Sequence, residues 1–186
     1  MIYTKKELDD FIIRVTDAIE GVYPENIELS GPILEPSKMP VKLRDFIKDE
    51  EIYGFYGVYT DTDLFWIGLE IPSCKNKVED VKNILIYIEL NKKSNTHILT
   101  NHDKRNDFIK FLYHQYESEF KKDESNGIWK YTEYVNPKSS IKIEKRFYVK
   151  KTGLPPVDDV VRSFKILANL DIPAALKKWQ EQRLDP

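Results

Sequence analysis

Four carboxylates raise the first chemical question. Asp61 and Asp63 head one apolar run, Leu64 to Ile71, which carries Glu70 near its far end, and a second run, Ile84 to Leu90, carries Glu89 in the corresponding place. Carboxylates delivered by neighbouring strands can hold Mg²⁺ against a phosphodiester, where the ion polarises a phosphoryl oxygen and lowers the pKa of the attacking water. Such a site requires convergence, because each ligand oxygen must come within about 2.1 Å of the ion. On this reading Asp61, Asp63, Glu70 and Glu89 are the catalytic candidates and Mg²⁺ is the cofactor.

The same runs carry a different kind of site. If Asp61 and Thr62 form a two-residue turn, Gly57 faces Trp66, Phe55 faces Gly68 and Tyr53 faces Glu70, so an aromatic stands across from each glycine. One sheet face then holds Tyr53, Phe55, Tyr59, Trp66, Glu70, Tyr87 and Glu89, an aromatic floor with two carboxylates. The other holds Ile52, Gly54, Tyr56 and Val58 with Phe65, Ile67, Leu69 and Ile71 and is the expected core face. An aromatic floor suits a cationic group, a base or a sugar, or serves as the contact with helices or a second subunit. Keeping the apolar phases of the next hairpin aligned sets Trp66 opposite Glu89. Glu70 and Glu89 then share a face but stand four residues apart along the strand, about 13 Å, too far to hold one ion.

A basic hairpin is the third candidate. From Lys138 to Lys151 six cations accompany Glu144 alone, while Ile141, Ile143, Phe147 and Val149 mark a buried side. Lys142, Arg146 and Lys150 project from the wet side with Tyr148, at alternate positions that could track phosphates or an acidic protein partner. Charged edge strands also serve to discourage unwanted pairing.

Other chemistries find little support. His97, His102 and His114 lack metal-ligand spacing, and the lone Cys74 cannot close an internal disulfide. There is no phosphate-cradling glycine loop and no serine nucleophile elbow. Hydrophobic residues make up 41% and aromatics 12%, a globular composition, and no apolar run approaches the roughly 20 residues of a membrane span. The polar N-terminus and single cysteine predict a cytoplasmic, soluble chain. Charge is uneven: residues 1–71 hold 7 Lys/Arg and 15 Asp/Glu, which leaves 22 and 16 of the chain's 29 and 31 for the remainder. That asymmetry favours oriented association.

The positioning elements follow from caps and periodicity. Thr4-Lys-Lys-Glu7 is a capping box that starts a helix to about Glu20, with Leu8, Phe11, Ile12, Val15 and Ile19 on one stripe. Residues 24–40, with Gly31 and four prolines, read as an extended connection across the surface, and a short helix is expected over 41–50. Strands are predicted over 52–60, 64–71 and 84–90, a long helix over 103–122, strands over 128–135 and 141–150, and helices from Val157 to Ala168 and beyond Asp171. The order gives one α+β domain over 1–186 with an antiparallel sheet of about five strands and helices on one face: a helical arm and connection over 1–50, a sheet core over 51–151 and C-terminal helices over 154–184.

Asp63 and Glu89 bear a resemblance to the PD-(D/E)xK nuclease superfamily, in which an Asp begins one strand and a Glu-x-Lys ends the next. The resemblance implies Mg²⁺ chemistry, yet Glu89-Leu-Asn91 has Asn in the lysine position, Lys92 is one residue out of phase, and Asp63 points to the opposite face. The run from Phe55 to Lys130, with "FYGVYTDTDLFWIGLEI", "ILIYIEL", "NDFIKFLYHQYESEF" and "GIWKY", resembles an uncharacterised bacterial domain family found alone or at the C-terminus of restriction-associated and nuclease-like proteins. That family implies no catalytic residues. The order of elements is similar to that of type III secretion chaperones, small acidic dimers that bind extended client segments.

Together these readings predict a non-catalytic binding module of a bacterial or phage cytoplasmic protein, without cofactor or metal. Its partner is a protein or a second copy, met at the aromatic face or the basic hairpin, with nucleic acid possible at Lys142, Arg146, Tyr148 and Lys150. The alternative is a PD-(D/E)xK-like nuclease or nucleic-acid-binding protein of a defence system.

Overall fold

A computed structural model describes residues 4–34, 53–60, 64–71, 81–91, 98–136, 140–149 and 153–184. Helix α1 (Lys5–Ile19) starts on the expected capping box: the Glu7 amide donates to Thr4 Oγ1 at 3.2 Å, and the Thr4 amide donates back to Glu7 Oε2 at 2.7 Å. Its buried stripe is Leu8, Phe11, Ile12, Val15 and Ile19, the periodic set. Strands β1 (Ile27–Ile33), β2 (Gly54–Tyr59), β3 (Phe65–Glu70) and β4 (Asn83–Leu90) follow. Helices α2 (His102–Gln115) and α3 (Glu117–Lys122) come next, then β5 (Ile128–Thr132), β6 (Lys142–Tyr148), α4 (Val157–Ala168) and α5 (Ile172–Leu184).

The fold is α+β, with one antiparallel six-stranded sheet in the order β1-β2-β3-β4-β6-β5. β1 falls where the sequence predicts an extended connection. Ile27 and Leu29 alternate with Glu28 and Ser30 in strand fashion, and the Gly31-Pro32 break is absorbed as a register shift between Ser30 and Ile33 rather than ending the strand. The expected single helix over 103–122 divides at Tyr116, whose backbone leaves the helical region between α2 and α3. The helix expected over 41–50 lies outside the described residues, as do Asp61, Asp63, Cys74, His97 and Lys150. No described helix is long and apolar enough to cross a membrane.

The described helices pack on one face of the sheet. Phe55 of β2 meets Phe164 of α4 edge to face, and Phe65 of β3 meets Phe108 of α2, which in turn meets Trp179 of α5. Trp179 is oriented by its Nε1–H, which donates to Asp107 Oδ2 at 2.7 Å. The β3–β4 register is the expected one, with Trp66 opposite Glu89. The β2–β3 register is displaced by one residue from expectation: Val58, not Gly57, faces Trp66, and Phe55 faces Leu69. Because side chains alternate, this single step transfers every β2 side chain to the other face. Tyr53, Phe55 and Tyr59, placed by the sequence on the aromatic floor, are instead buried in the helix-covered core, while Tyr56 and Val58 take the opposite face.

Candidate functional site: the helix-free sheet face

The ladder registers lay out the face that the described helices leave uncovered as three cross-strand rows. Glu28, Val58, Trp66, Glu89, Lys142 and Thr132 form one row, and Ser30, Tyr56, Gly68, Tyr87, Glu144 and Lys130 form the next. Gly54, Glu70, Leu85, Arg146 and Ile128 form the third, with Tyr148 opposite Asn83 beyond it.

Tyr87 is the centre of this face. Its ring crosses Gly68, where an added Cβ would lie 3.0 Å from the Tyr87 hydroxyl and 2.9 Å from the Phe55 carbonyl oxygen. Trp66 meets the ring edge to face with centroids 5.2 Å apart, and the Lys142 ammonium stands 5.2 Å from its centroid. Tyr56, Leu85 and Tyr87 are buried yet separate from the helix-side core cluster. Around them are the exposed apolar groups: Val58 is 38% accessible, Tyr148 43% and Ile128 55%.

The basic hairpin delivers Lys142, Arg146 and Tyr148 to this face, as the sequence predicts, but its cations are not a bare phosphate track. Glu144, buried between them, receives Lys130 and Lys142 at 3.0 Å each and Arg146 at 2.8 Å. Burial pushes the Glu144 carboxyl up, but the ammoniums of Lys142 and Lys130 outweigh it and hold its pKa below the usual carboxylate range. Burial likewise favours loss of the Lys142 proton, and Glu144, Glu70 and Glu89 outweigh it and raise that pKa. Each charge is therefore held by the others, and the arrangement fixes side chains rather than poising an acid or base near neutrality.

Of the four carboxylates first considered, only Glu70 and Glu89 are described. Both lie on this face, and both act on Lys142 electrostatically. Glu70 pairs with Leu85 while Glu89 stands four residues further along β4, about 13 Å away. Among the described residues no group of three or more His, Cys, Asp or Glu side chains could hold a metal ion.

A second polar cluster lies on the opposite side of the sheet. Lys145 shares the phase of Ile143 and Phe147, so β6 drives it into the core, where its Nζ donates to Asp123 Oδ2 at 2.6 Å, to the Ser125 carbonyl oxygen at 3.1 Å and to Ser125 Oγ. Asp123 Oδ2 also accepts from Ser163 Oγ at 2.8 Å and from Trp129 Nε1 at 3.0 Å. Burial opposes ionisation of Asp123, but the Lys145 ammonium and the hydroxyls of Ser125 and Ser163 outweigh it and lower its pKa; burial dominates at Lys145 and lowers its pKa too, with Asp123 opposing. An amine beside two hydroxyls has the ingredients of a serine–lysine pair. Here the lysine and Ser163 are wholly buried, and the carboxylate already accepts from every neighbour, so the cluster ties α4, β5 and β6 together. The available sequence signal for it was the phase of Lys145 in an otherwise apolar series.

Compared with family models, curated proteins and solved structures, the chain matches none.

Proposed function

We propose that this chain is a non-catalytic binding module of the cytoplasm that engages a protein partner through its helix-free sheet face. The observation that carries this reading is the distribution of exposed large apolar side chains. Among the described residues they are Val58, Ile128, Val135 and Tyr148, and all but Val135 lie on that face, beside half-buried Trp66. Exposed apolar side chains interleaved with charged ones suit a protein partner, whose interfaces combine apolar contact with polar and charged groups. The charge set is Glu28, Glu70, Glu89, Lys130 and Arg146. Its mixed sign favours a protein of mixed charge over a nucleic-acid backbone, which requires a surplus of unspent cations.

The test pairs binding with catalysis. Partner capture should depend on Trp66 and Tyr148, whereas DNA and RNA incubated with the protein and Mg²⁺ or Mn²⁺ should remain intact. Cleavage that Glu89→Gln abolishes would replace this proposal with the nuclease reading.

A further inference from the structure

The buried Lys145–Asp123 pair is bordered by a short link of main chain. Ser125 belongs to the network: its amide and hydroxyl donate to Asp123 Oδ1 at 3.1 and 2.6 Å, and its carbonyl oxygen accepts from Lys145 Nζ. Ile128 opens β5 opposite Arg146. Between these two anchors lie Asn126 and Gly127, both exposed. Asn126 is the only asparagine of the chain that precedes a glycine. Gly127 is fixed by its surroundings: its φ is +120°, a conformation that favours glycine, and an added Cβ would lie 2.8 Å from the Arg146 carbonyl oxygen and 3.0 Å from Lys145 Cε. The Leu90 amide donates to the Ile141 carbonyl oxygen, which leaves Lys142, Glu144 and Arg146 as the β6 residues bonded to β5. The same alternation turns the Gly127 N–H away from β6.

We propose that Asn126-Gly127 is a site of spontaneous deamidation, and that its isoaspartyl product loosens the buried Lys145–Asp123 pair. The Gly127 main-chain nitrogen gives up its proton and bonds to the Asn126 side-chain carbonyl carbon, and ammonia leaves. Water then opens the resulting cyclic imide at either carbonyl, which yields aspartate or isoaspartate without any change of oxidation state. The attack is intramolecular, on an exposed side chain, by a nitrogen that no side chain of its own residue crowds. Any residue but glycine at position 127 would be strained and would meet the Arg146 carbonyl, so the labile pair is built into the link. Isoaspartate carries the main chain through the former side chain and adds a methylene between Ser125 and Gly127. With Ile128 held by the ladder and Gly127 against Arg146 and Lys145, the added length is taken up at Ser125, which withdraws its carbonyl and hydroxyl from Lys145. This inference stands apart from what the helix-free face binds.

The test is to age the folded full chain in mildly alkaline buffer. Peptide mass spectrometry, with fragmentation that separates aspartate from isoaspartate, is read beside the melting temperature. Wild type should convert at Asn126 before any other asparagine, with isoaspartate the larger product, and its melting temperature should fall as conversion proceeds. Asn126→Gln, whose longer side chain disfavours ring closure, should lose the modification and keep its melting temperature through the same treatment. Freshly prepared Asn126→Asp carries the new charge without the added methylene and should melt close to fresh wild type. An Asn126 that keeps its amide, or that converts no faster than the other asparagines, overturns the site. Isoaspartate at position 126 with an unchanged melting temperature, or an Asn126→Asp variant that melts as low as the aged protein, overturns its coupling to the buried pair.

Discussion

Lys142 holds its ammonium 3.0 Å from Glu144 Oε2, and Glu144 is closed in by Arg146 on the same strand and Lys130 across the ladder. The basic hairpin is thus built around a buried anion, and its cations have a structural duty before any partner arrives.

Charge reversal there should unfold before it informs on binding. Lys142→Glu removes one of three cations from Glu144 and adds a carboxylate beside Glu89, its cross-strand partner. Leaving a buried charge uncompensated costs about 3–5 kcal/mol. Urea denaturation should show a loss of that order for Lys142→Glu and a smaller one for Lys142→Met, which retains the stem over Tyr87. An unchanged midpoint for the reversal would show that Glu144 is not held as described.

The core ion pair makes a parallel prediction. Lys145→Ala strands the Asp123 carboxylate without its cation and should cost about 3–5 kcal/mol. The double variant Asp123→Asn/Lys145→Met should recover much of this, because an amide needs no counterion and the methionine fills the stem volume. Thermal denaturation of the single and double variants reads the difference, and an additive loss would contradict the coupling.

Acid should find the same two carboxylates. Asp123 and Glu144 both have folded-state pKa values below their unfolded ones, so their contribution is full above the unfolded values, near pH 4, and is lost as pH falls toward the depressed values. A stability profile should therefore decline below about pH 4, and Glu144→Gln should flatten that limb. If the slope of the variant equals that of wild type, Glu144 is not among the groups responsible.

The sequence made some of this architecture readable and hid the rest for identifiable reasons. The β3–β4 register was legible because FWIGLE and ILIYIEL each keep one phase strongly aliphatic, so only one alignment buries both. The β2 strand, GFYGVY, has aromatics in both phases, and its phase alone did not decide which face they take. Matching glycines to aromatics chose a register one residue away from the folded one. The true glycine–aromatic contact lies on the other side of β3, where Tyr87 covers Gly68. Lys145 counts among the hairpin's six cations in the sequence and its phase matches buried Ile143 and Phe147, but its counter-charge, Asp123, comes from 22 residues away and has no local signature that would announce a buried ion pair. β1 was obscured because Gly31-Pro32 resembles a loop signal.

Gly68 tests the centre of the face. Gly68→Ala puts a Cβ against the Phe55 carbonyl oxygen on one side and the Tyr87 hydroxyl on the other, which should cost about 1–3 kcal/mol and displace Tyr87. A change in near-ultraviolet dichroism, to which the edge-to-face pair Trp66 and Tyr87 contributes, should accompany the loss. Full stability with an unaltered spectrum would mean that Tyr87 does not lie over Gly68.

The most direct measurement of the central claim is affinity capture, with quantitative mass spectrometry, by three proteins: wild type, the helix-free-face variant Trp66→Ala/Tyr148→Ser, and Lys165→Glu on the exposed side of α4. A protein partner kept by wild type and Lys165→Glu but lost from the sheet-face variant, with all three folded, is the predicted result. A partner set that is the same for all three, or lost only with Lys165→Glu, would contradict binding at the sheet face.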